Sequence, residues 1–287
     1  MAAPRVIAGL GEIAGAYDVV LSDVWGVIHN GVVAYPAACG ALAWFQREHG
    51  PVVLISNAAR LSGDVVPQLD SLDIPRDAWG DLVTSGDATR PFLAELTPGP
   101  VWAIGSERQA ALYAGLGLGE AGPEHAAFIA CTGPFDDEVD TPEDYRERFE
   151  IAVSRGLEMI CANPDIVVQR GDKLIYCAGA LADLYVKLGG RVRMAGKPHA
   201  PIYELSLARA EQRLGRPLDR KRVLCIGDAI ATDVRGANHQ GLDVLFVANG
   251  IHGADIVSNG IADAFKFENM LDQASQHATF LTSDLKP

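Results

Sequence analysis

Two aspartates follow apolar, strand-like runs of the chain, at points where a phosphoryl group or a metal ion could be bound. Asp23 ends the run VVLSD, and Asp228 follows the run LCIG. A carboxylate at position 23 can attack phosphorus and form an aspartyl-phosphate. Both carboxylates suit Mg²⁺, which binds one or two of them and leaves other positions for water and substrate phosphate. Asp23 taken alone more often starts a turn, whereas Gly227 beside Asp228 permits close backbone approach and makes that segment the more specific signal.

Three further segments carry side chains that suit an anion beside such an ion. Ser56 and Asn57 offer a hydroxyl, an amide and backbone N–H groups to a phosphate oxygen, although Ser-Asn after a strand is also ordinary turn chemistry. Lys197, in AGKPH, can neutralise phosphoryl charge and the carboxylate of Asp23. A surface lysine is the alternative. Asp233 either supports the metal ligands through hydrogen bonds or begins a helix.

Some nearby residues are less informative. Trp25 stands two positions after Asp23, and its indole N–H cannot serve as a general acid or base near neutral pH. His29 also lies close to the proposed site, but a loop histidine is more often incidental than catalytic. Asn163 and Asp165 follow a strand-like run and can face a substrate, although Asn-Pro-Asp is also a common turn.

The elements that must position these residues follow from the pattern of the chain. Short β-rich runs alternate with amphipathic, helix-like segments, which predicts an α/β fold with largely parallel sheets. Ligands of an open parallel sheet bind beyond the carboxyl ends of its strands, so the polar strand ends predict one shared site. The strands between residues 86 and 187 end in less reactive residues. We therefore predict a core formed by 1–85 and 188–287, with 86–187 inserted as a second domain.

Composition restricts the partners and the compartment. The 287 residues carry a net charge of −13, which argues against nucleic-acid and anionic membrane surfaces. No apolar run approaches the roughly 20 residues of a membrane span, and the N-terminal residues do not resemble a signal peptide. The five cysteines form no CxxC pair, which is typical of reduced, buried thiols. These features predict a cytoplasmic protein.

The segments together resemble the haloacid dehalogenase superfamily of phosphohydrolases. Four motifs occur in that family's order: LSDVWGV, LISNA, AGKPH and GDAIATD. The residues between the second and third motifs look like class IIA, the branch with a large α/β cap, which includes sugar-phosphate and 4-nitrophenyl phosphatases. The resemblance implies a Rossmann-like parallel-sheet core with an inserted α/β cap domain, and a Mg²⁺-dependent phosphatase of a small phosphorylated metabolite. Members of this branch often dimerise through their caps, so a homodimer stays open.

The resemblance also implies a role for each matching residue. Asp23 would be the nucleophile and a metal ligand, and the backbone carbonyl of Trp25 and the carboxylate of Asp228 would be further metal ligands. Ser56, Asn57 and Lys197 would bind the phosphate, and Lys197 would also be catalytic. Asp233 would support the metal ligands, and Asn163 and Asp165 would contact the substrate from the cap.

One departure from the family pattern concerns proton transfer. Phosphatases of this family carry a second aspartate two positions after the nucleophile, as general acid and base, and here that position is Trp25. Losing a positioned acid or base typically costs about 10²–10⁴-fold in rate. Two alternatives therefore stay open: a protein that binds phosphorylated ligands without turnover, and a phosphoryl transferase.

Overall fold

The chain divides into two compact units. The computed structural model describes residues 3–170, 173–258 and 260–287. The first unit comprises the described residues up to Ser56, Val66–Val83 and Lys197–Pro287, and the second comprises Asn57–Val65 and Thr84–Gly196.

Strands and helices alternate along most of the chain. The strands are β1 (Arg5–Val6), β2 (Val19–Asp23), β3 (Val52–Ser56), β4 (Asp81–Thr84), β5 (Val101–Ile104), β6 (Phe128–Cys131), β7 (Glu158–Cys161), β8 (Val167–Arg170), β9 (Lys173–Tyr176), β10 (Arg191–Met194), β11 (Val223–Gly227), β12 (Asp243–Val247), β13 (Val257–Ser258), β14 (Ile261–Ala262) and β15 (Phe280–Thr282). The α-helices are α1 (Pro36–Glu48), α2 (Ser62–Ser71), α3 (Ser85–Glu95), α4 (Arg146–Ser154), α5 (Ala178–Lys187), α6 (Ala200–Leu214), α7 (Arg235–Gln240), α8 (Gly253–Ile256) and α9 (Ala264–Ala274).

A seven-stranded sheet forms the centre of the first unit, in the order β1-β15-β12-β11-β2-β3-β4. Its central strands β2, β3 and β11 pair in parallel and are buried along their whole length. Such near-continuous apolar runs are typical of parallel strands covered on both faces. The register places Ser22 opposite Ile226 and Asp23 opposite Ile55, so the carboxyl ends of these strands lie level. The predicted α/β fold with a parallel-sheet core is confirmed.

The second unit has a parallel sheet of its own, in the order β10-β7-β6-β5, and a separate hairpin of β8 and β9. Aromatic residues including Tyr145, Phe149 and Tyr185 pack against it. Since β10 pairs with β7, this unit extends to Gly196, and the boundary predicted between 187 and 188 lies too early. The segment 57–65 also belongs to this unit. Neither assignment can be obtained from alternation along the sequence, because both depend on contacts between distant segments.

Two expectations drawn from composition can be compared with the structure. All five cysteines are buried and carry free thiols, as predicted. Among the described residues, no helix has both the length and the apolar character needed to cross a bilayer.

Candidate active site

Three buried carboxylates meet at the carboxyl ends of β2 and β11. Asp23 is the last residue of β2, Asp228 directly follows β11, and Asp233 lies in the short π-helical turn Ile230–Val234. Each offers a carboxylate oxygen, and these oxygens all lie within 4.8 Å of one another. The parallel register explains the meeting, since Gly227 lies level with Asp23 and Asp228 is the next residue along.

A buried lysine joins two of these carboxylates. Lys197 Nζ donates hydrogen bonds to Asp23 Oδ1 and to Asp233 Oδ1, each at 2.6 Å. Only 3% of the lysine side chain is exposed. The alternative of a surface lysine is therefore wrong, because this ammonium is held inside the first unit between two acids.

Both oxygens of Asp233 are occupied by neighbours of its own chain. Oδ1 accepts from Lys197, and Oδ2 accepts from the backbone N–H groups of Asp228 and Ala229, at 3.2 and 3.1 Å. A Cβ atom at Gly227 would overlap the side chain of Asp233, so the glycine is needed for this close packing. Asp233 thus orients the lysine and the loop that carries Asp228.

Backbone N–H groups hold Asp23 and Asp228 through one oxygen each. Asp23 Oδ1 accepts from Lys197 and from the Val24 N–H at 2.7 Å, and Asp228 Oδ2 accepts from the Ile251 N–H at 2.7 Å. These bonds go to Asp23 Oδ1 and to Asp228 Oδ2, and the second oxygen of each carboxylate is a candidate metal ligand.

Two glycines form the walls around Asp228. Gly26 lies in the loop after β2 and has φ of 84°, a conformation that glycine adopts without strain. Gly250 lies in the loop after β12. A Cβ atom at either position would overlap the carboxylate of Asp228. The backbone therefore approaches this carboxylate closely from two sides.

The electrostatics of the site favour a bound cation. Burial raises the pKa of Asp23 and of Asp228, and the charge of Asp233 raises both further, while Lys197 opposes the rise. Three carboxylates face one ammonium, so the fully ionised site carries excess negative charge in a buried position. A divalent cation would offset that charge, and carboxylate oxygens are the ligands that Mg²⁺ prefers. The donor set fits Mg²⁺.

Trp25 takes the place of a second acid in this loop. Its ring meets the ring of His29 edge to face, with centroids 5.1 Å apart and planes at 71°. The same ring lies so close to Gly31 that a Cβ atom there would overlap it. The side chain at position 25 is thus packed within the loop after β2.

The remaining predicted residues fall in both units. Ser56 ends β3 beside β2 and is buried in the first unit, whereas Asn57 begins the second. Asn57 Nδ2 donates to Asp165 Oδ1 at 2.8 Å, and the Asp165 N–H donates to Asn163 Oδ1 at 3.0 Å. The second bond is the turn that Asn-Pro-Asp predicts. The first bond joins residues 108 positions apart, and no sequence signal indicates it.

Sequence reasoning also missed the groups that surround Asp228. The Gly26 and Gly250 backbones and the Ile251 N–H hold this carboxylate in place. The Asn-Gly pair after strand β12 is a turn signal. A turn signal at that point gives no indication of which side chain the turn approaches.

Comparison with known proteins identifies the family. Residues 20–119 match the family described as haloacid dehalogenase-like hydrolase, and residues 194–273 match a second, related hydrolase family. The crystal structure of a haloacid dehalogenase-like hydrolase from Brucella suis 1330 is 43% identical to this chain, with a TM-score of 0.87. That alignment covers 98% of this chain and 100% of the other. The chain belongs to the haloacid dehalogenase-like hydrolases.

Characterised relatives of this hydrolase are more distant. A D-glycerol 3-phosphate phosphatase of Mycobacterium tuberculosis is 27% identical over 252 residues, which are 85% of this chain and 66% of that protein. The chain thus spans just under two thirds of the length of that relative. The ribonucleotide monophosphatase NagD of Escherichia coli K12 is 24% identical, over 84% of this chain and 91% of NagD. Both are named as phosphatases of small phosphorylated compounds.

Proposed function

We propose that this hydrolase is a Mg²⁺-dependent phosphatase of a small phosphorylated metabolite, with Asp23 as the nucleophile. The observation that carries the proposal is the buried Lys197, which bonds Asp23 and Asp233 beside the carboxylate of Asp228. An acid that only starts a turn needs no such partner. The phosphatase names of the two relatives support a phosphoric monoester as the substrate class.

The reaction divides into two displacements at phosphorus. In the first, a carboxylate oxygen of Asp23 forms a bond to phosphorus, and the bond from phosphorus to the leaving oxygen breaks. In the second, a water oxygen attacks phosphorus, the bond to Asp23 breaks, and inorganic phosphate leaves. Bound Mg²⁺ would supply positive charge against the phosphoryl oxygens.

The chain's own residues hold the nucleophile for this sequence. Lys197 fixes the orientation of Asp23 through Oδ1, and its charge opposes the rise that burial causes in the pKa of this carboxyl. The Val24 N–H bonds the same oxygen. Ser56, at the end of the adjacent strand, is the proposed phosphate-binding hydroxyl of the first unit. Asn57 stays a predicted phosphate ligand.

Asn163 and Asp165 stay predicted substrate contacts of the second unit, whose proposed role is to select the leaving group. The Asp165 side chain accepts a hydrogen bond from Asn57, and the Asn163 side chain accepts one from the Asp165 N–H. These bonds fix the relative positions of the three residues.

Trp25 determines which substrates are hydrolysed well. Because its indole cannot donate a proton near neutral pH, the leaving oxygen must depart as an anion or take a proton from water. An aryl phosphate has a stable leaving anion and an alkyl phosphate does not. The attacking water of the second step also lacks a base at position 25, so the aspartyl-phosphate should accumulate during turnover.

A second candidate function follows from the same residue. A protein that binds phosphorylated ligands and Mg²⁺ without turnover would also tolerate tryptophan at position 25. The burial of Asp23 beside Lys197 argues against it, since desolvation of a carboxylate is costly and a binder has no use for a nucleophile.

A panel of phosphate monoesters, assayed with and without Mg²⁺, tests the proposal. We expect the wild type to release phosphate only with Mg²⁺, and Asp23→Asn to fall to background. Asp18→Asn is the matched control, because Asp18 precedes the same strand and pairs with Arg216 and Arg222. Equal turnover by wild type and Asp23→Asn would overturn the mechanism. Ligand-induced thermal stabilisation without turnover across the panel would favour the binding protein.

A further inference from the structure

The loop between β2 and α1 contains a small built structure whose packing the proposed reaction does not explain. Trp25, His29 and Gly31 contact one another within seven residues, and we refer to them as the Trp25 clamp. The edge-to-face contact of the two rings is one side of it. The other side is the backbone of Gly31, whose φ of 85° and lack of a Cβ allow the indole to lie against it.

The imidazole of His29 connects the other two residues of the Trp25 clamp, because it contacts the indole and accepts a hydrogen bond from Gly31. The Gly31 N–H donates to His29 Nδ1 at 2.8 Å, so this nitrogen is unprotonated and the ring proton is on Nε2. Only 2% of His29 is exposed, so the bond from Gly31 to the imidazole is shielded from competing water.

The backbone of His29 connects the clamp to the metal site. The Gly26 N–H donates to the His29 carbonyl oxygen at 2.8 Å. In a trans peptide the carbonyl of one residue points opposite to the N–H of the next, so this bond fixes the direction of the Trp25 carbonyl. The same Gly26 lies against the carboxylate of Asp228. Gly26 thus sets the direction of one proposed metal ligand, the Trp25 carbonyl, and contacts the other, the carboxylate of Asp228.

We propose that His29 is a positioning residue for the metal site: through Gly26 it orients the Trp25 carbonyl and sets the approach of the backbone to Asp228. The inference rests on the metal assignment of the proposed function. This inference gives tryptophan at position 25 a structural role, since the indole is the ring that the imidazole of His29 contacts.

Calorimetric titration of the substrate-free protein with Mg²⁺ tests this role. Groups that orient metal ligands typically contribute 10–100-fold to metal affinity, so we expect His29→Ala to weaken Mg²⁺ binding by about tenfold or more. His29→Asn should bind nearly as the wild type does, because an Asn oxygen can accept from the N–H two residues on.

The chain offers a matched control for loss of a ring contact. His49 meets Trp44 edge to face at 5.0 Å and 68°, at the opposite end of α1 from this loop. His49→Ala removes a similar contact without touching the metal site, and its Mg²⁺ affinity should equal that of the wild type.

Three outcomes would overturn the inference: unchanged Mg²⁺ affinity in His29→Ala, an equal loss in His49→Ala, or no Mg²⁺ binding by the wild type. If His29→Ala does not fold, His29→Phe and His29→Asn decide. The Phe variant keeps a ring without the acceptor and should bind Mg²⁺ more weakly than the Asn variant does. Equal Mg²⁺ affinities of these two variants would contradict the role. Because no substrate is present, failure of the proposed catalysis, shown by Asp23→Asn turning over normally, leaves this comparison readable.

Discussion

At the scale of single residues, tryptophan at position 25 leaves the proposed ligands in place but provides no group for proton transfer. The proposed metal ligands Asp23 and Asp228 lie together with Lys197 in the first unit, whereas the side chain at position 25 packs against His29 and Gly31. In the proposed reaction, displacement at phosphorus takes place without a proton donor at this position. We therefore expect the leaving group to control the rate.

Trp25→Asp tests that statement. The new carboxyl can protonate a leaving oxygen, and a positioned acid contributes about 10²–10⁴-fold where the leaving group is poor. We expect kcat/KM to rise more for an alkyl phosphate than for 4-nitrophenyl phosphate. Trp25→Asn is the control, since it removes the indole equally and cannot titrate. Equal changes for both substrates, or the same gain in the Asn variant, would show that lost acid catalysis is not the reason for slow alkyl turnover.

At the scale of elements, the site is made by loops that converge on Asp228. The loops after β2 and β12 both bring a glycine against its carboxylate, and the Ile251 N–H bonds one of its oxygens. The geometry of the candidate metal ligand therefore depends on backbone positions in two separate segments.

Gly250→Ala tests this dependence. The added Cβ overlaps the carboxylate of Asp228, so we expect Mg²⁺ affinity to fall by about tenfold or more, as for other groups that orient a ligand. Gly40→Ala is the control, because Gly40 lies inside α1 with no heavy atom within 4 Å of the added methyl group. That change should stabilise the protein by about 0.5–1 kcal/mol and leave Mg²⁺ binding unchanged. Unaltered Mg²⁺ affinity in Gly250→Ala would contradict the close approach.

The order of strands and helices was more predictable from the sequence than the side-chain contacts between them. The meeting of Asp23 and Asp228 follows from parallel strands and was predictable, because strand ends in such a sheet share an edge. The bond from Lys197 to Asp233 and the bond from Asn57 to Asp165 were not predictable. Each depends on side-chain packing between segments that no periodicity relates.

The same limit applies to the domain boundary. Strand β10 looks like any other β-rich run in the sequence, and only its pairing with β7 places it in the second unit.

At the scale of the whole molecule, the buried acids lower the stability of the metal-free protein. A carboxyl whose pKa is raised in the folded state binds more protons folded than unfolded at pH values between the two pKa values. The free energy of unfolding therefore falls as pH rises from the ordinary value of 3.8 through the raised pKa of Asp228. Dimerisation and a cytoplasmic location stay predictions at this scale.

Asp228→Asn should remove the loss of stability that ionisation of this buried carboxyl causes. Without Mg²⁺, we expect the variant to melt at a higher temperature than the wild type at pH 7–8, and the difference to vanish only well below the ordinary pKa of 3.8, where the wild-type carboxyl is neutral in both states. Mg²⁺ should raise the Tm of the wild type and not that of the variant, since a ligand stabilises only the state that binds it. Calorimetry across this pH range, with and without Mg²⁺, checks both. A metal-free wild type that gains stability over the variant as pH rises would contradict the sign.

The central claim is that Asp23 carries the phosphoryl group during turnover. Peptide mass spectrometry after rapid acid quench of the wild type, mixed with 4-nitrophenyl phosphate and Mg²⁺, tests it most directly. The account predicts the mass of one added phosphoryl group on Asp23, abundant because Trp25 provides no base for the second step, and absent in Asp23→Asn. Steady turnover with no label on Asp23, or with the label on another residue, would contradict it.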